Sequence, residues 1–185
     1  MRSFDKALRK GEIGEQIVKP YLEAKGYVVY RPATEGAHAF DALAIRSKEH
    51  CIAYDVKAKA RMNKYPATGV NLSHFMCYWK FSQKHHMPFW LFFVDEMLGQ
   101  IYGNNLDELE KHRHVDGVDY PFVLNTRKDD IRLWPLEAML KVTDLTDEQK
   151  AALAACNQRT HAAPSTASVV LQTLNIDSGL SWRAT

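Results

Sequence analysis

The feature that most constrains the fold is an uninterrupted apolar run from Phe89 to Val94, bounded by Pro88 and Asp95. A strand with one solvent-exposed face alternates apolar and polar side chains, and this run does not alternate. The segment from Ser73 to His86, just before it, carries its apolar residues in helical register. A helix that crosses to a strand buried on both faces predicts an α/β fold with a mixed central sheet flanked by helices.

The elements around this run predict the order helix, three strands, helix, strand. An amphipathic helix is expected from Ser3 to Lys25, with a kink or a break at Gly11 or Pro20. The other predicted elements are strands at 27–30, 39–46, 50–59 and 100–103, a loop at 65–69 and a charged helix at 106–112. A short polar turn joins the second and third strands, so we expect them to form an antiparallel hairpin.

The chain has 185 residues, which is the size of one domain with its own core. We expect a core over residues 1–115, an extension over 116–156 packed on it, and a flexible tail over 157–185. The extension is predicted to hold short strands at 120–124 and 131–134 and a helix that opens at Thr146 and runs to Ala155.

Charge and apolar patterning exclude several classes of protein. A net charge of +2, from 24 basic and 22 acidic residues, excludes a polycation that binds nucleic acid through bulk charge. No apolar stretch reaches the length of a membrane span, and the first residues do not resemble a signal peptide. Three widely spaced cysteines predict neither disulfides nor zinc binding. We therefore expect a soluble, cytoplasmic protein without a membrane partner.

The third predicted strand carries the most informative pattern. Side chains alternate across a strand, so four charged residues share one face while the small apolar residues between them pack on the other. The charged residues are Asp55, Lys57, Lys59 and Arg61. This face could contact phosphates, or it could be a solvated edge that discourages strand pairing.

Asp41 begins the preceding strand, and hairpin pairing would bring it near Asp55. Two carboxylates on one face repel each other, and a divalent cation would relieve that repulsion. Mg²⁺ takes carboxylate oxygens and waters, and Lys57 could place a positive charge beside a phosphate oxygen. Two alternatives stay open: Asp41 as a turn residue that accepts local backbone amides, and Asp55 with Lys57 as a solvated ion pair.

Taken together, these motifs resemble the PD-(D/E)xK nuclease superfamily, which has the restriction-endonuclease-like fold, and in spacing its Holliday-junction resolvase branch. The resemblance runs from about Lys10 to Val94 and rests on Lys10-Gly11-x-x-x-Glu15, Gly26-Tyr27, Asp41 and Asp55-Val56-Lys57. The αβββαβ order is also that of the family's core. Glu12 is a rival for the helical position, which we assign to Glu15 from its distance to Gly26. Phe40 stands where the motif has Pro, and the loop before Asp41 is not the Ser/Gly loop of the resolvases.

The resemblance implies a DNA nuclease of recombination or repair that hydrolyses phosphodiester bonds with a Mg²⁺-activated water, Mn²⁺ being a substitute. The implied catalytic residues are Glu15, Asp41, Asp55 and Lys57, and the implied metal ligands are Asp41, Asp55, the Val56 carbonyl and Glu15. We expect DNA contacts from Lys59, Arg61, Lys64 and His38, and a homodimer. A restriction, repair or exonuclease-type enzyme and a catalytically inactive nuclease-fold binding module remain alternatives.

Overall fold

The protein is described by a computed structural model over residues 3–32, 40–58, 61–62 and 64–157. His38, Lys59 and the predicted tail from residue 158 onward lie outside the described residues. In chain order the elements are α1 (Ser3–Ala24), β1 (Val28–Tyr30), β2 (Ala42–Ser47), β3 (His50–Lys57), β4 (Ala67–Asn71), α2 (Leu72–His85), β5 (Phe89–Asp95), β6 (Gln100–Asn105), α3 (Leu106–Leu109), β7 (Arg113–Val115), β8 (Val118–Tyr120), β9 (Phe122–Asn125), β10 (Asp130–Pro135), a 3₁₀ turn (Leu136–Ala138), β11 (Leu140–Asp144) and α4 (Asp147–Asn157).

A six-stranded sheet with the order β1-β2-β3-β5-β6-β11 forms the centre of the molecule. The predicted hairpin of β2 and β3 is confirmed, because Ala42 pairs with Tyr54 and the strands run antiparallel. β5 runs parallel to β3 and antiparallel to β6, so the sheet is mixed, as predicted. The αβββαβ order is also confirmed within this sheet, with β4 as an additional strand that belongs to a second sheet.

Helices cover both faces of the central sheet. On one face, Val18 and Leu22 of α1 and Leu153 of α4 pack in one apolar cluster with alternate residues of β3 and β5. On the other face, Phe75 and Tyr78 of α2 pack on the intervening residues. β5 is therefore buried on both faces, which confirms the interpretation of its apolar run.

The predicted break in the first helix is wrong. Gly11 and Pro20 both lie inside one continuous helix of 22 residues. Proline removes one backbone hydrogen bond and glycine costs conformational entropy. The burial of Ile17, Val18 and Leu22 against the sheet outweighs these local costs.

Three predictions after residue 64 are also wrong. The expected loop at 65–69 contains the start of β4, where a Cβ on Gly69 would collide with the Arg132 carbonyl oxygen of the paired strand β10. The expected strand at 120–124 is divided into β8 and β9 at Pro121, which has no amide hydrogen to donate. The expected helix at 106–112 ends at Leu109.

The residues of the predicted extension contribute directly to the main sheet. β11, which sequence reasoning missed, pairs with β6 at the sheet edge. α4 begins at the predicted position with a capping box, in which the Gln149 amide donates to Thr146 Oγ1 and the Thr146 amide donates to Gln149 Oε1. Among the described residues, no helix is long and apolar enough to cross a membrane.

Candidate active site

The four predicted catalytic residues, Glu15, Asp41, Asp55 and Lys57, meet at one edge of the central sheet, where β2 begins and β3 and β5 end. We call this the site edge. The Asp41 amide donates to the Tyr54 carbonyl at 3.0 Å, so Asp41 lies just before β2 and beside the end of β3. Hairpin pairing therefore brings Asp41 next to Asp55, as the sequence predicted.

The Asp41 carboxylate takes the place of a missing strand partner. The register of β2 with β3 ends at Ala42 and Tyr54, so no residue of β2 pairs with Val56. Asp41 Oδ2 accepts the Val56 amide hydrogen at 2.6 Å instead. The bond crosses the hairpin, unlike the local turn contact that was the alternative interpretation. A strand residue directs its N–H and C=O to the same side, so the Val56 carbonyl also faces this part of the site edge.

Asp55 and Lys57 share one face of β3, also as predicted. Lys57 Nζ lies 2.6 Å from Asp55 Oδ2, and the Asp55 side chain is almost fully buried. The Lys57 ammonium and the Tyr78 hydroxyl both lower the pKa of Asp55, but burial outweighs them and raises it. An isolated solvated ion pair is therefore a poor description of this buried pair.

A close helix-to-strand approach brings Glu15 to the site. A Cβ on Gly14 would lie 3.0 Å from Val56 Cγ1, so glycine lets α1 pack closely against β3. Glu15 interacts electrostatically with Asp41, and its Oε2 lies 3.3 Å from Arg31 Nη2. Glu12 is exposed. The catalytic assignment of Glu15 stays a prediction, but its position agrees with the one chosen from sequence.

The surroundings raise the pKa values of all three carboxyl groups, those of Glu15, Asp41 and Asp55. Burial, followed by the nearby Asp55 charge, raises the pKa of Asp41 to about 6. Burial also raises the pKa of Asp55, and burial together with the Asp41 charge raises the pKa of Glu15. Each group is therefore harder to ionise than a solvated carboxyl, and a bound cation would favour the ionised forms.

The chemistry of this site fits Mg²⁺, although the side chains do not form a complete cage. In the described part of the chain, no three His, Cys, Asp or Glu side chains are placed so that they could hold a metal ion together. Mg²⁺ keeps several waters and commonly takes only one or two protein carboxylates. Asp41, Asp55 and the Val56 carbonyl supply such an all-oxygen set.

Two residues at the site were not singled out from the sequence. Arg31 directly follows β1, and it lowers the pKa values of Glu15 and Asp41 against the effect of burial. Arg31 comes beside Asp41 through the antiparallel pairing of β1 with β2, which the sequence analysis did not predict. The second residue, Tyr78, belongs to α2.

Tyr78 is buried in the core and also reaches the site. Its hydroxyl hydrogen-bonds to Asp55, and its ring centroid lies 5.8 Å from Lys57 Nζ. Burial and the Asp55 charge raise the pKa of Tyr78, so its hydroxyl is a stable donor. No sequence signal identifies this role, because it depends on where α2 crosses the sheet.

Two of the predicted DNA-contacting residues, Arg61 and Lys64, lie among the described residues. Arg61 Nε donates to the buried Asp95 Oδ2 at 3.0 Å. Lys64 is exposed, with its Nζ 5.5 Å from the Tyr65 ring centroid. His38 and Lys59 lie outside the described residues.

Comparison with protein-family models and with curated proteins gives no match. Among solved structures, the chain is similar to Hjc, a Holliday junction resolvase from the archaeal hyperthermophile Archaeoglobus fulgidus. The TM-score is 0.45 at 14% sequence identity, with 65% of this chain and 86% of that chain covered.

Proposed function

We propose that this protein is a Mg²⁺-dependent nuclease that hydrolyses phosphodiester bonds in DNA, acts on branched structures such as Holliday junctions, and works as a homodimer. One observation carries the proposal. The Asp41 carboxylate is bonded to the Val56 amide beside the buried pair of Asp55 and Lys57, and both carboxyl pKa values are raised. Like charges gathered in this way cost stability. A metal ion that assists phosphoryl chemistry would offset this repulsion.

Each residue has a distinct part in the proposed reaction. Asp41, Asp55 and the Val56 carbonyl would hold the metal ion, and Glu15 would reach it directly or through a water. A bound Mg²⁺ supplies a Lewis acid that polarises the phosphate and lowers the pKa of a water. Lys57, on the same face of β3, orients the attacking water or neutralises the charge that develops on the phosphate oxygens.

The surrounding groups keep this arrangement in place. The Val56 amide fixes the Asp41 carboxylate at 2.6 Å, and the Tyr78 hydroxyl orients Asp55. Arg31, at 3.3 Å from Glu15, offsets part of the negative charge before a cation binds. A positively charged guanidinium at the rim also suits the approach of a phosphate.

The test is a substrate panel with the full chain. Linear, supercoiled, single-stranded and four-way branched DNA are incubated with Mg²⁺, with Mn²⁺ and with EDTA. We expect cleavage with either metal, none with EDTA, and the highest rate on branched DNA. Lys57→Ala should remove the activity, while Lys141→Ala should not, since Lys141 pairs with Asp144 on the exposed strand β11.

The same panel can contradict the proposal. A protein that cuts none of these substrates but shifts some of them in a gel is a binding module and not a nuclease. Cleavage that is fastest on linear ends would retain the nuclease function and replace the junction preference with an exonuclease activity.

A further inference from the structure

A second feature of the site edge is an apolar tip on the β5–β6 hairpin. The loop between these strands has four residues, Glu96 to Gly99, and Met97 and Leu98 stand at its centre. Their exposed fractions are 72% and 49%. Within the described residues, they are the only exposed large apolar side chains adjacent in sequence. Hairpin loops normally carry polar residues, so this pair requires an explanation.

The loop is anchored from several parts of the chain. The buried Asp95 carboxylate accepts the Met97 and Leu98 amides at 3.0 and 3.1 Å, and its other oxygen accepts Arg61 Nε. Glu96 pairs with Lys10 of α1 at 2.6 Å.

The far side of the loop is anchored as well. The Gly99 carbonyl accepts the Leu145 amide at 2.8 Å, and Gly99 itself has a left-handed φ of 64°. A loop bound at both ends presents its two apolar side chains in a defined place, so little ordering entropy opposes a contact there.

The loop also lies close to the proposed reaction centre. Lys57 pairs with Phe93 on the neighbouring parallel strand, and the loop begins just beyond Asp95. From strand spacing and rise, the Cα atom of Met97 lies roughly 10 to 15 Å from the Cα atom of Lys57. That distance corresponds to about three to four base pairs along a duplex. DNA bound at the site edge would therefore pass this loop.

The chemistry of the tip favours bases over phosphates as its target. Phosphates are contacted by charged and hydrogen-bonding groups, whereas methionine and leucine are among the side chains that enter base steps as wedges and unstack them. Three cations lie beside the loop, Lys10, Arg61 and Lys150, and each is already paired with an acid. The tip itself thus offers only apolar surface.

We propose that Met97 and Leu98 form a wedge that enters one base step of bound DNA, about three to four base pairs from the scissile phosphate. This inference rests on the proposed nuclease function. It gives that function a physical basis for preferring branched or mismatched DNA, in which the step is already open and the cost of unstacking is smaller.

The test uses the full chain with Ca²⁺ in place of Mg²⁺. The DNA duplexes carry 2-aminopurine, a base whose fluorescence rises on unstacking, at successive steps from the cleavage position. Wild type should raise the signal about threefold at a single step. The double variant Met97→Ser/Leu98→Ser should lose most of this rise and keep a wild-type melting temperature. Leu140→Ser is the matched control, since Leu140 is 56% exposed on β11.

Cleavage with Mg²⁺ gives a second readout. The double variant should cut paired duplex about tenfold more slowly than wild type, and a duplex with a mismatch at the wedge step within about twofold. A double variant that keeps the fluorescence rise, or a wild type that cuts DNA without raising the signal at any step, would overturn the wedge and leave the nuclease function intact. If the double variant unstacks and cuts DNA as wild type does but no longer self-associates, the loop is a protein-docking surface. That result would overturn the wedge as well. A wild type that neither binds nor cuts any DNA overturns both proposals.

Discussion

Glu110 and Asp55 are both carboxylates that face the interior of the protein, and they differ in the number of donors around them. Glu110 receives hydrogen bonds from two nitrogens of Arg132 and, at 2.8 Å, from Trp134 Nε1. Asp55 is contacted by two donors, Lys57 and Tyr78, and burial still raises its pKa.

The difference is the one expected between a structural acid and an acid that serves the proposed reaction. The Glu110 cluster connects the end of α3 to the strand β10, and the Arg132 guanidinium also lies over the Phe75 ring of α2. A carboxylate with enough donors stabilises the structure around it. A group of carboxylates with too few donors costs stability, and it is retained where a cation or substrate completes it.

The largest effect should come from removing a charge at the site. Asp41→Asn keeps the acceptor for the Val56 amide but removes the negative charge, so we expect Mg²⁺-dependent cleavage to fall about a thousandfold, from loss of several kcal/mol of charge stabilisation. Single-turnover cleavage of the best substrate from the panel measures this. The control is Asp144→Asn, an exposed acid paired with Lys141 on β11. Full activity in Asp41→Asn would remove the basis of the proposed function.

For a substitution at Glu110 we expect the reverse pattern, a loss of stability with little loss of cleavage activity. Glu110→Ala leaves the Arg132 guanidinium and the Trp134 N–H without their acceptor. We therefore expect the free energy of unfolding in urea to fall by about 3 kcal/mol. Cleavage at a temperature where the variant is folded should stay within about threefold of wild type, because Glu110 takes no part in the chemistry. Glu137→Ala, at an exposed acid, is the control for stability. A large loss of activity in folded Glu110→Ala would show that the two regions are not separate.

The pH dependence of stability gives a finer comparison. The pKa of Asp41 is raised from 3.8 to about 6 in the folded protein, so the folded state holds this proton more tightly than the unfolded state. The resulting stabilisation is complete below pH 4 and is lost as the pH rises to about 6. Without metal, Asp41→Asn should therefore be more stable than wild type above pH 6, by on the order of 2 kcal/mol, and equally stable near pH 3.5. Urea unfolding at several pH values in EDTA checks this, and a variant less stable than wild type at pH 7 would contradict it.

The smallest predicted effect is the stabilisation by metal. For binding in the millimolar range, 10 mM Mg²⁺ should stabilise the folded state by about 1 kcal/mol and raise the melting temperature by roughly 2 to 4 °C. Differential scanning fluorimetry in the absence of DNA measures this independently of cleavage. Asp55→Asn should abolish the shift, and Asp144→Asn should retain it. An equal shift in both variants would place the cation elsewhere.

The parts of the fold that follow from local patterns could be predicted. The apolar run at 89–94, the polar turn of the β2–β3 hairpin and the alternation around Asp55 and Lys57 each rest on a period or a turn that a few neighbouring residues define. Strands that depend on distant partners could not. β4 needs β10, and β11 needs β6, and neither strand has an alternation strong enough to identify it.

The sequence by itself determined the central strands, the hairpin and the common face of Asp55 and Lys57, because side-chain periodicity is a property of the local backbone. Only the tertiary structure decided which other groups meet them. It placed Arg31 and Tyr78 beside the acids and paired Arg61 with Asp95, leaving an anchored apolar loop at the same edge of the sheet. Those contacts depend on how helices cross the sheet and on which strands pair. The local side-chain periodicity of the sequence encodes neither.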